Sequence, residues 1–302
     1  MNVALATSSA LPSLTEDDQL LIPALRAFGI DAHPVIWNDR SIAWGDFDMC
    51  VIRSTWDYTA QLNEFLKWTR HVSSRTLLHN SCEIVSWNTD KHYLIDLERI
   101  GISIVPTQWV EVDDAIHLET LFSIFECEKL VVKPVVGAGG EGVSKIGRAD
   151  IGNLPPSLRA HMQSRGLMAQ PYFKSVETAG EFSFLFFNGE FSHAIEKTPA
   201  PGEYRVNPAW GGIYRAFTPS REQISCAQDV IETLALQTLY SRVDFLLDDA
   251  GCMRLSELEL TEPCMFLSHD PSSARRFAGA IASRLEEHLN KSLRCRDASL
   301  AA

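Results

Sequence analysis

The sequence predicts an α/β protein of two or three lobes, and three observations predict it. Short apolar runs alternate with amphipathic stretches through residues 1–80, strands and hairpins take over from Lys129, and 302 residues exceed what one hydrophobic core usually sustains. Clefts between lobes are then the natural places for ligands.

Residues 2–7 form a short apolar run. Asp17 and Asp18 then open an amphipathic stretch through Leu20, Leu21, Ala24 and Leu25 that ends near Gly29, so a strand followed by a helix is expected. Residues 33–37 and 48–52 read as further strands, and Phe65 and Trp68 sit at helical spacing before another run at 76–78. Such alternation predicts a mainly parallel sheet with crossover helices, whose ligands gather at the carboxyl ends of the strands. The segment from Arg53 through Ser54, Thr55, Trp56 and Asp57 to Tyr58 directly follows one of those strands and is a candidate ligand loop.

A second lobe is expected after Asn80. Asn88 or Thr89 caps a predicted helix that carries Tyr93, Leu94, Leu97 and Ile100 on one face and stops at Gly101, with 102–106 extended. Strands are expected at 130–134, 143–146 and 167–170, and the runs 182–187 and 191–196 meet at the hairpin turn Asn188-Gly189. Ser220 and Gln223 make a capping box for a helix to about Tyr240. Strands at 243–247 and 253–260 then flank a turn at 248–251, and an amphipathic helix near 274–289 closes the fold.

A net charge of −12 argues against nucleic acid or an anionic membrane as a partner, so any anionic ligand must be met by local cations. No run approaches the roughly 18 apolar residues of a membrane span. The first residues lack the basic flank of a secretory signal, and a cytoplasmic protein is expected. The scattered cysteines never pair as C-x-x-C, which suggests buried, inert thiols rather than a disulfide framework or a zinc cluster. Neither a His ligand spacing nor a G-x-S-x-G elbow is present.

Three constellations can carry chemistry. In the first, Lys133 lies on a strand that runs into a loop with Gly137, Gly139, Gly140 and Gly142. Glycines let backbone N–H groups approach an anion, and the lysine adds the charge that phosphates need. Neither a Walker A loop nor a dinucleotide fingerprint fits, because both lead into a helix and a strand is expected here. The alternative is a flexible hairpin tip. In the second, Asp244 sits on one predicted strand, Glu257 and Glu259 share a face of the next, and Glu262 follows closely. Converging carboxylates repel unless a cation sits among them, and hard oxygen ligands favour Mg²⁺ or Mn²⁺ bridging nucleotide phosphates; the alternative is a solvated acidic face. The third is segment 197–214, where Arg205 and Gly211-Gly212 suit a loop that touches substrate or a transferred phosphate, unless Arg205 serves only a surface ion pair.

Six separated elements fall in one order: Lys91 after Trp87-Asn88, Lys133-Pro134 with its glycine loop, Met168 to Tyr172, Gly180-Glu181, Arg205 with Gly211-Gly212, and Asp244 with Glu257 and Glu259. Over about residues 80–270 this order resembles an ATP-grasp enzyme of the prokaryotic glutathione synthetase branch. The segments Arg53 to Tyr58, Trp87 to Lys91 and Glu257 to Pro263 are similar to those of the O-ureidoserine cyclo-ligases of cycloserine biosynthesis. The resemblance implies an ATP-grasp fold with a Rossmann-like pre-ATP-grasp substrate domain at 1–80, a lid subdomain at 81–170 and a C-terminal ATP-grasp subdomain at 171–302.

By that resemblance Lys91 and Lys133 contact ATP phosphates, Gly137, Gly139, Gly140 and Gly142 close over them, and Gln170, Pro171 and Tyr172 form the hinge strand at the adenine. Glu181 stands near the ribose, Arg205 and Lys133 are catalytic, and Asp244, Glu257 and Glu259 hold Mg²⁺, with Glu259 standing where glutathione synthetase has Asn. Substrate contacts are expected from Arg53, Ser54, Thr55, Asp57, Arg205, Gly211, Gly212 and Glu262. The implied chemistry converts a carboxylate into an acyl phosphate that a nitrogen attacks, with ring closure of O-ureido-D-serine to D-cycloserine as the preferred version. Joining two separate substrates is the alternative, and a nucleotide-binding module without turnover is a third. The partner is a small amino-acid-like molecule, and the resemblance allows a homo-oligomer.

Overall fold

The computed structural model describes residues 1–110, 118–156, 158–160 and 166–300. Strands β1 (Asn2–Thr7), β2 (Asp31–Ile36), β3 (Met49–Ile52) and β4 (Leu77–His79) form a parallel sheet in the order β2-β1-β3-β4. β1 is apolar throughout because both of its faces are covered. Val3 and Leu5 pack with Leu21 and Leu25, while Ala4 and Ala6 face an aromatic cluster of Trp37, Trp44, Phe65 and Trp68. The expected helix after β1 is divided into α1 (Glu16–Gln19), capped by the Thr15 side chain, and α2 (Leu21–Arg26), since Pro23 has no N–H to continue the first. α3 (Leu62–Ser73) returns the chain to β4 and buries Phe65, Trp68 and Val72.

β5 (Gln108–Val110), β6 (Lys129–Pro134), β7 (Ser144–Gly147) and β8 (Leu167–Pro171) form an antiparallel sheet in the order β5-β8-β6-β7. Alternation along β6 puts Leu130 and Val132 into a core with α6 (Leu118–Ile124), leaving Val131 and Lys133 on the opposite face. The third sheet is antiparallel, in the order β11-β10-β9-β12-β13. Its strands are β9 (Glu181–Phe187), β10 (Glu190–Thr198), β11 (Ile213–Phe217), β12 (Tyr240–Leu247) and β13 (Met253–Glu259), and β9 and β10 turn at Asn188-Gly189 as expected. The first and third sheets share a core: Val3 and Leu5 pack in one cluster with Leu185, Phe187, Tyr240 and Phe277, the last on α8 (Ser273–Leu300). The gaps between the three sheets lie at 80–107 and 172–180, and we propose lobe boundaries in those gaps, the first at the expected 80/81 and the second just past the expected 170/171, which would cut the last residue from β8.

Several local expectations are corrected. Asn88 and Thr89 end α4 (Cys82–Asn88), which Ser81 caps, and the next helix, α5 (Tyr93–Arg99), begins four residues later. The Asn88 amide is instead spent across the chain, donating to the Leu258 carbonyl at 2.8 Å and accepting from the Leu260 N–H at 2.7 Å. Ile100 is exposed, and within 102–106 only Ile104 makes a strand bridge, to Leu255. The helix capped by Ser220 is α7 (Arg221–Leu234); it stops at Ala235, which takes a left-handed conformation, because Tyr240 is already the first residue of β12. Among the described cysteines Cys50 is buried, but Cys252 is exposed and the others are partly so.

His79 at the end of β4 has its Nδ1 buried without a hydrogen-bond partner among the described residues, and burial, with the Arg284 and His288 charges, pushes its pKa down to about 4. The unfolded chain therefore binds the extra proton first as pH falls. The stability that neutral His79 provides is complete above about pH 6.5 and is lost on the way to about pH 4, a term on the order of 3 kcal/mol. His79→Gln is expected to flatten the fall in melting temperature over that window. A wild-type slope in the variant would refute the assignment.

Candidate active site

Four side chains form a square on one face of the third sheet. β12 and β13 pair so that Arg242 lies opposite Glu259 and Asp244 opposite Glu257, and residues two apart share a face, so all four line one cleft. A bulge just beyond Asp244 skips Ser256, whose hydroxyl donates to the Asp244 carbonyl at 3.1 Å, and shifts the register by one residue before pairing resumes at Phe245 and Leu255. Arg242 bridges the square, donating to Asp244 at 3.0 Å and to Glu259. Neighbouring strands add Ser183, which donates to Asp244 at 2.6 Å, and Lys197, opposite Glu181 in the hairpin, whose ammonium reaches Glu181 at 2.8 Å and Asp244 at 3.2 Å. One oxygen from each of Asp244, Glu257 and Glu259 lies within 4.8 Å of the others.

The electrostatics follow from burial and spacing. Burial opposes ionisation of Asp244, but Arg242 and Lys197 outweigh it and hold the carboxyl at about 2. Glu257 is likewise lowered against burial, by Lys91 and Lys133. Glu259 is pushed up to about 8 by burial and by the Glu257 and Asp244 charges, against the pull of Arg242. Burial also raises Glu262, to about 7. A cation among these groups would relieve the repulsion and favour all the ionised forms.

Lys133 on β6 and Gln170 on β8 project from the second sheet into the same cleft. Lys133 has no hydrogen-bond or ion-pair partner among the described residues, and burial lowers its pKa. Lys91 joins the two walls: its ammonium pairs with Glu257 at 2.6 Å and donates to the Gly137 carbonyl at 3.1 Å. The glycine loop closes one side, with Gly139, Gly140 and Gly142 all at positive φ, and a Cβ on Gly140 would approach Asn207 Oδ1 to 2.7 Å. Tyr204 ties that loop to segment 197–214, since its hydroxyl donates to the Val143 carbonyl and accepts from the Lys145 N–H, each at 3.1 Å. Beside this cleft a cavity of about 580 Å³ is walled by Trp56, Tyr58, Tyr93, Trp210, Tyr214 and Phe266. It shares Lys91, Arg242, Glu257 and Glu259 with the cleft and includes Glu262.

The structure thus gathers Lys91, Lys133, Gly137, Gly139, Gly140, Gln170, Pro171, Tyr172, Glu181, Arg205, Asp244, Glu257 and Glu259 around one cleft. Gly142 lies just outside its lining. Arg205 does line it, yet its guanidinium is held by Glu203 in a two-point pair and stacks over Trp210 at 3.2 Å. Gly211 and Gly212 shape that loop rather than the cleft: Gly211 takes φ +81°, and a Cβ on Gly212 would collide with the Val206 carbonyl.

Arg53, Ser54, Thr55 and Asp57 were expected to face substrate, and the structure turns them away from the cavity. Arg53 is buried, pairs with Asp18 at 2.9 Å and donates to the Pro263 carbonyl at 2.6 Å. Ser54 donates to Asp18 at 2.7 Å, Thr55 is fully buried, and Asp57 accepts from Trp37 Nε1 at 2.9 Å. The same loop reaches the cavity through Trp56, Tyr58 and Thr59. Arg53→Met would leave Asp18 charged and unpaired in the core, a loss of about 3–5 kcal/mol. Urea unfolding is the check, and a loss below about 1 kcal/mol would contradict the buried-pair account. Sequence reasoning missed Arg242 and Lys197. The available signal was Arg242 two residues before Asp244 on one strand, and Lys197 facing Glu181 across the Asn188-Gly189 hairpin.

Comparison with known proteins agrees with this architecture. Residues 3–80 match the family model of the D-cycloserine synthetase DcsG N-terminal domain, and residues 103–267 match that of the prokaryotic glutathione synthetase ATP-grasp domain. The chain is 30% identical over 298 residues to the cycloserine biosynthesis protein DcsG of Streptomyces lavendulae, covering 94% of this chain and 99% of that one. A glutathione synthetase of Ralstonia nicotianae is 30% identical over 166 residues, which is 54% of this chain and 49% of that one. The crystal structure of D-cycloserine synthetase DcsG superposes with a TM-score of 0.85 at 30% identity, covering 94% of this chain and all of the other. D-alanine–D-alanine ligase from Bacillus anthracis, solved with ATP, shares the fold at a TM-score of 0.65 and 15% identity, over 97% and 99% of the two chains. No described helix is long and apolar enough to cross a membrane. The chain therefore belongs to the ATP-grasp ligases, carbon–nitrogen bond-forming enzymes, with a glutathione synthetase-type ATP-grasp domain behind a DcsG-type N-terminal domain.

Proposed function

We propose that this ligase phosphorylates the carboxylate of one amino-acid substrate and closes that molecule on its own nitrogen, converting O-ureido-D-serine to D-cycloserine. The observation that carries the reading is the likeness to DcsG over nearly the whole of both chains, including residues 3–80, whereas the likeness to the glutathione synthetase covers about half. A carboxylate is a poor electrophile. Transfer of the ATP γ-phosphoryl group breaks its bond to the β-phosphate oxygen, forms an acyl phosphate and releases ADP. Attack by the ureido nitrogen then expels phosphate, and one water completes release of the carbamoyl group as ammonia and carbon dioxide.

Lys133 and Lys91 are proposed to neutralise the moving phosphoryl charge, while the glycine loop and the Arg205 loop, tied by Tyr204, keep water from the acyl phosphate. Gln170, Pro171 and Tyr172 would meet the adenine and Glu181 the ribose. The oxygen donors of Asp244, Glu257 and Glu259 suit a hard divalent ion, and these residues would hold Mg²⁺, or Mn²⁺. Such an ion supplies charge stabilisation at the phosphates. Arg242 is proposed to keep Asp244 and Glu259 aligned. A second reading, intermolecular ligation, draws support from the cavity, whose 580 Å³ leaves room for a separate amine. ADP release with Mg-ATP and O-ureido-D-serine alone, with cycloserine in the mass spectrum, is the expected result. Release only when an amine is added would overturn ring closure in favour of the second reading.

A further inference from the structure

The cavity beside the carboxylate square holds one buried acid that forms no direct ion pair among the described residues, although the Lys91 and Arg242 charges reach it. Lys91 is paired with Glu257, Lys197 with Glu181 and Asp244, and Arg242 with Asp244 and Glu259. Glu141, on the glycine loop, is exposed to solvent. Glu262 is left over: it is 8% exposed, lines the cavity beside Tyr58, and forms no ion pair among the described residues. Its position is fixed by a series of donors to consecutive carbonyls. Tyr240 donates to Thr261 at 2.8 Å, Trp56 to Glu262 at 3.0 Å and Arg53 to Pro263 at 2.6 Å. Trp56 and Tyr58 stand in the same wall. A positioned carboxyl group without a direct ion-pair partner, beside aromatic residues, suits an organic cation, whose charge would favour the ionised form.

We propose that Glu262 receives the α-ammonium group of the substrate, which makes the substrate an α-amino acid whose carboxylate lies toward Lys91 and Arg242. This rests on the ligase reading and deepens it. In ring closure the new bond joins the carboxyl carbon to a side-chain nitrogen, and the α-ammonium takes no part, so Glu262 can hold it throughout turnover and leave both reacting ends free. The same wall would reject carboxylates that lack the amino group, because they would leave Glu262 buried without a direct ion-pair partner.

The test compares O-ureido-D-serine with its des-amino analogue in wild type and in Glu262→Gln, which keeps the side-chain shape and removes the charge. Wild type is expected to favour the amino compound in kcat/KM by about a hundredfold. Glu262→Gln should raise KM for the amino compound by a similar factor, leave KM for ATP within about twofold, and erase the discrimination. Equal use of the two compounds by wild type overturns the proposal without any variant, and so does undiminished discrimination in Glu262→Gln. If a different α-amino acid drives ADP release with the same dependence on Glu262, ring closure of O-ureido-D-serine fails and the ammonium site stands. If O-ureido-D-serine is cyclised and Glu262→Gln cyclises it with unchanged KM, ring closure stands and the ammonium site fails.

Discussion

Glu257→Gln is expected to lower kcat for ligation by about 10²–10³-fold while the protein stays folded. Glu257 stands opposite Asp244 in the strand pair, offers one of the three clustered oxygens, and holds Lys91, which in turn reaches the glycine loop at Gly137. One neutralised oxygen therefore weakens the divalent-ion site and frees the lysine that joins the two walls. The amide keeps the volume, so the melting temperature should move by only a few degrees. Steady-state ADP release at saturating ATP, repeated across a magnesium titration, separates the effects. A raised magnesium requirement is expected, and an unchanged kcat would remove Glu257 from the machinery.

Lys133→Met is expected to do something less intuitive: to abolish most activity, about a hundredfold in kcat/KM for ATP, without lowering stability. Lys133 is a largely buried ammonium with no hydrogen-bond or ion-pair partner among the described residues, a group the fold tolerates rather than needs. Methionine keeps the stem in place and removes the charge, so the melting temperature should hold or rise, as at other sites where function strains a fold. A large drop in melting temperature with normal ATP affinity would mean that Lys133 is structural.

Much of this site is legible in the sequence because its chemistry is local. Glu257 and Glu259 share a face by strand periodicity, the Asn188-Gly189 turn fixes the β9–β10 hairpin, and the glycine loop follows Lys133 directly. What the sequence hides depends on register between strands that are distant along the chain. Whether Arg242 and Lys197 are buried partners of Asp244 is decided by how β9, β10, β12 and β13 align. The loop after β3 is a similar case. Its place at a strand end is predictable, but the 3₁₀ turn Trp56–Ala60 decides that Trp56 and Tyr58 face the cavity while Arg53 and Asp57 turn inward. Helix ends moved for the same reason, since Asn88 serves β13 instead of capping α5.

Carboxylate activation is the centre of the account, and isotope transfer tests it most directly. O-ureido-D-serine labelled with ¹⁸O in its carboxylate, incubated with the enzyme and Mg-ATP and no added amine, should pass one labelled oxygen into each phosphate released alongside cycloserine. Cycloserine formed together with unlabelled phosphate would mean that the carboxylate was never phosphorylated, and the account would be wrong at its core.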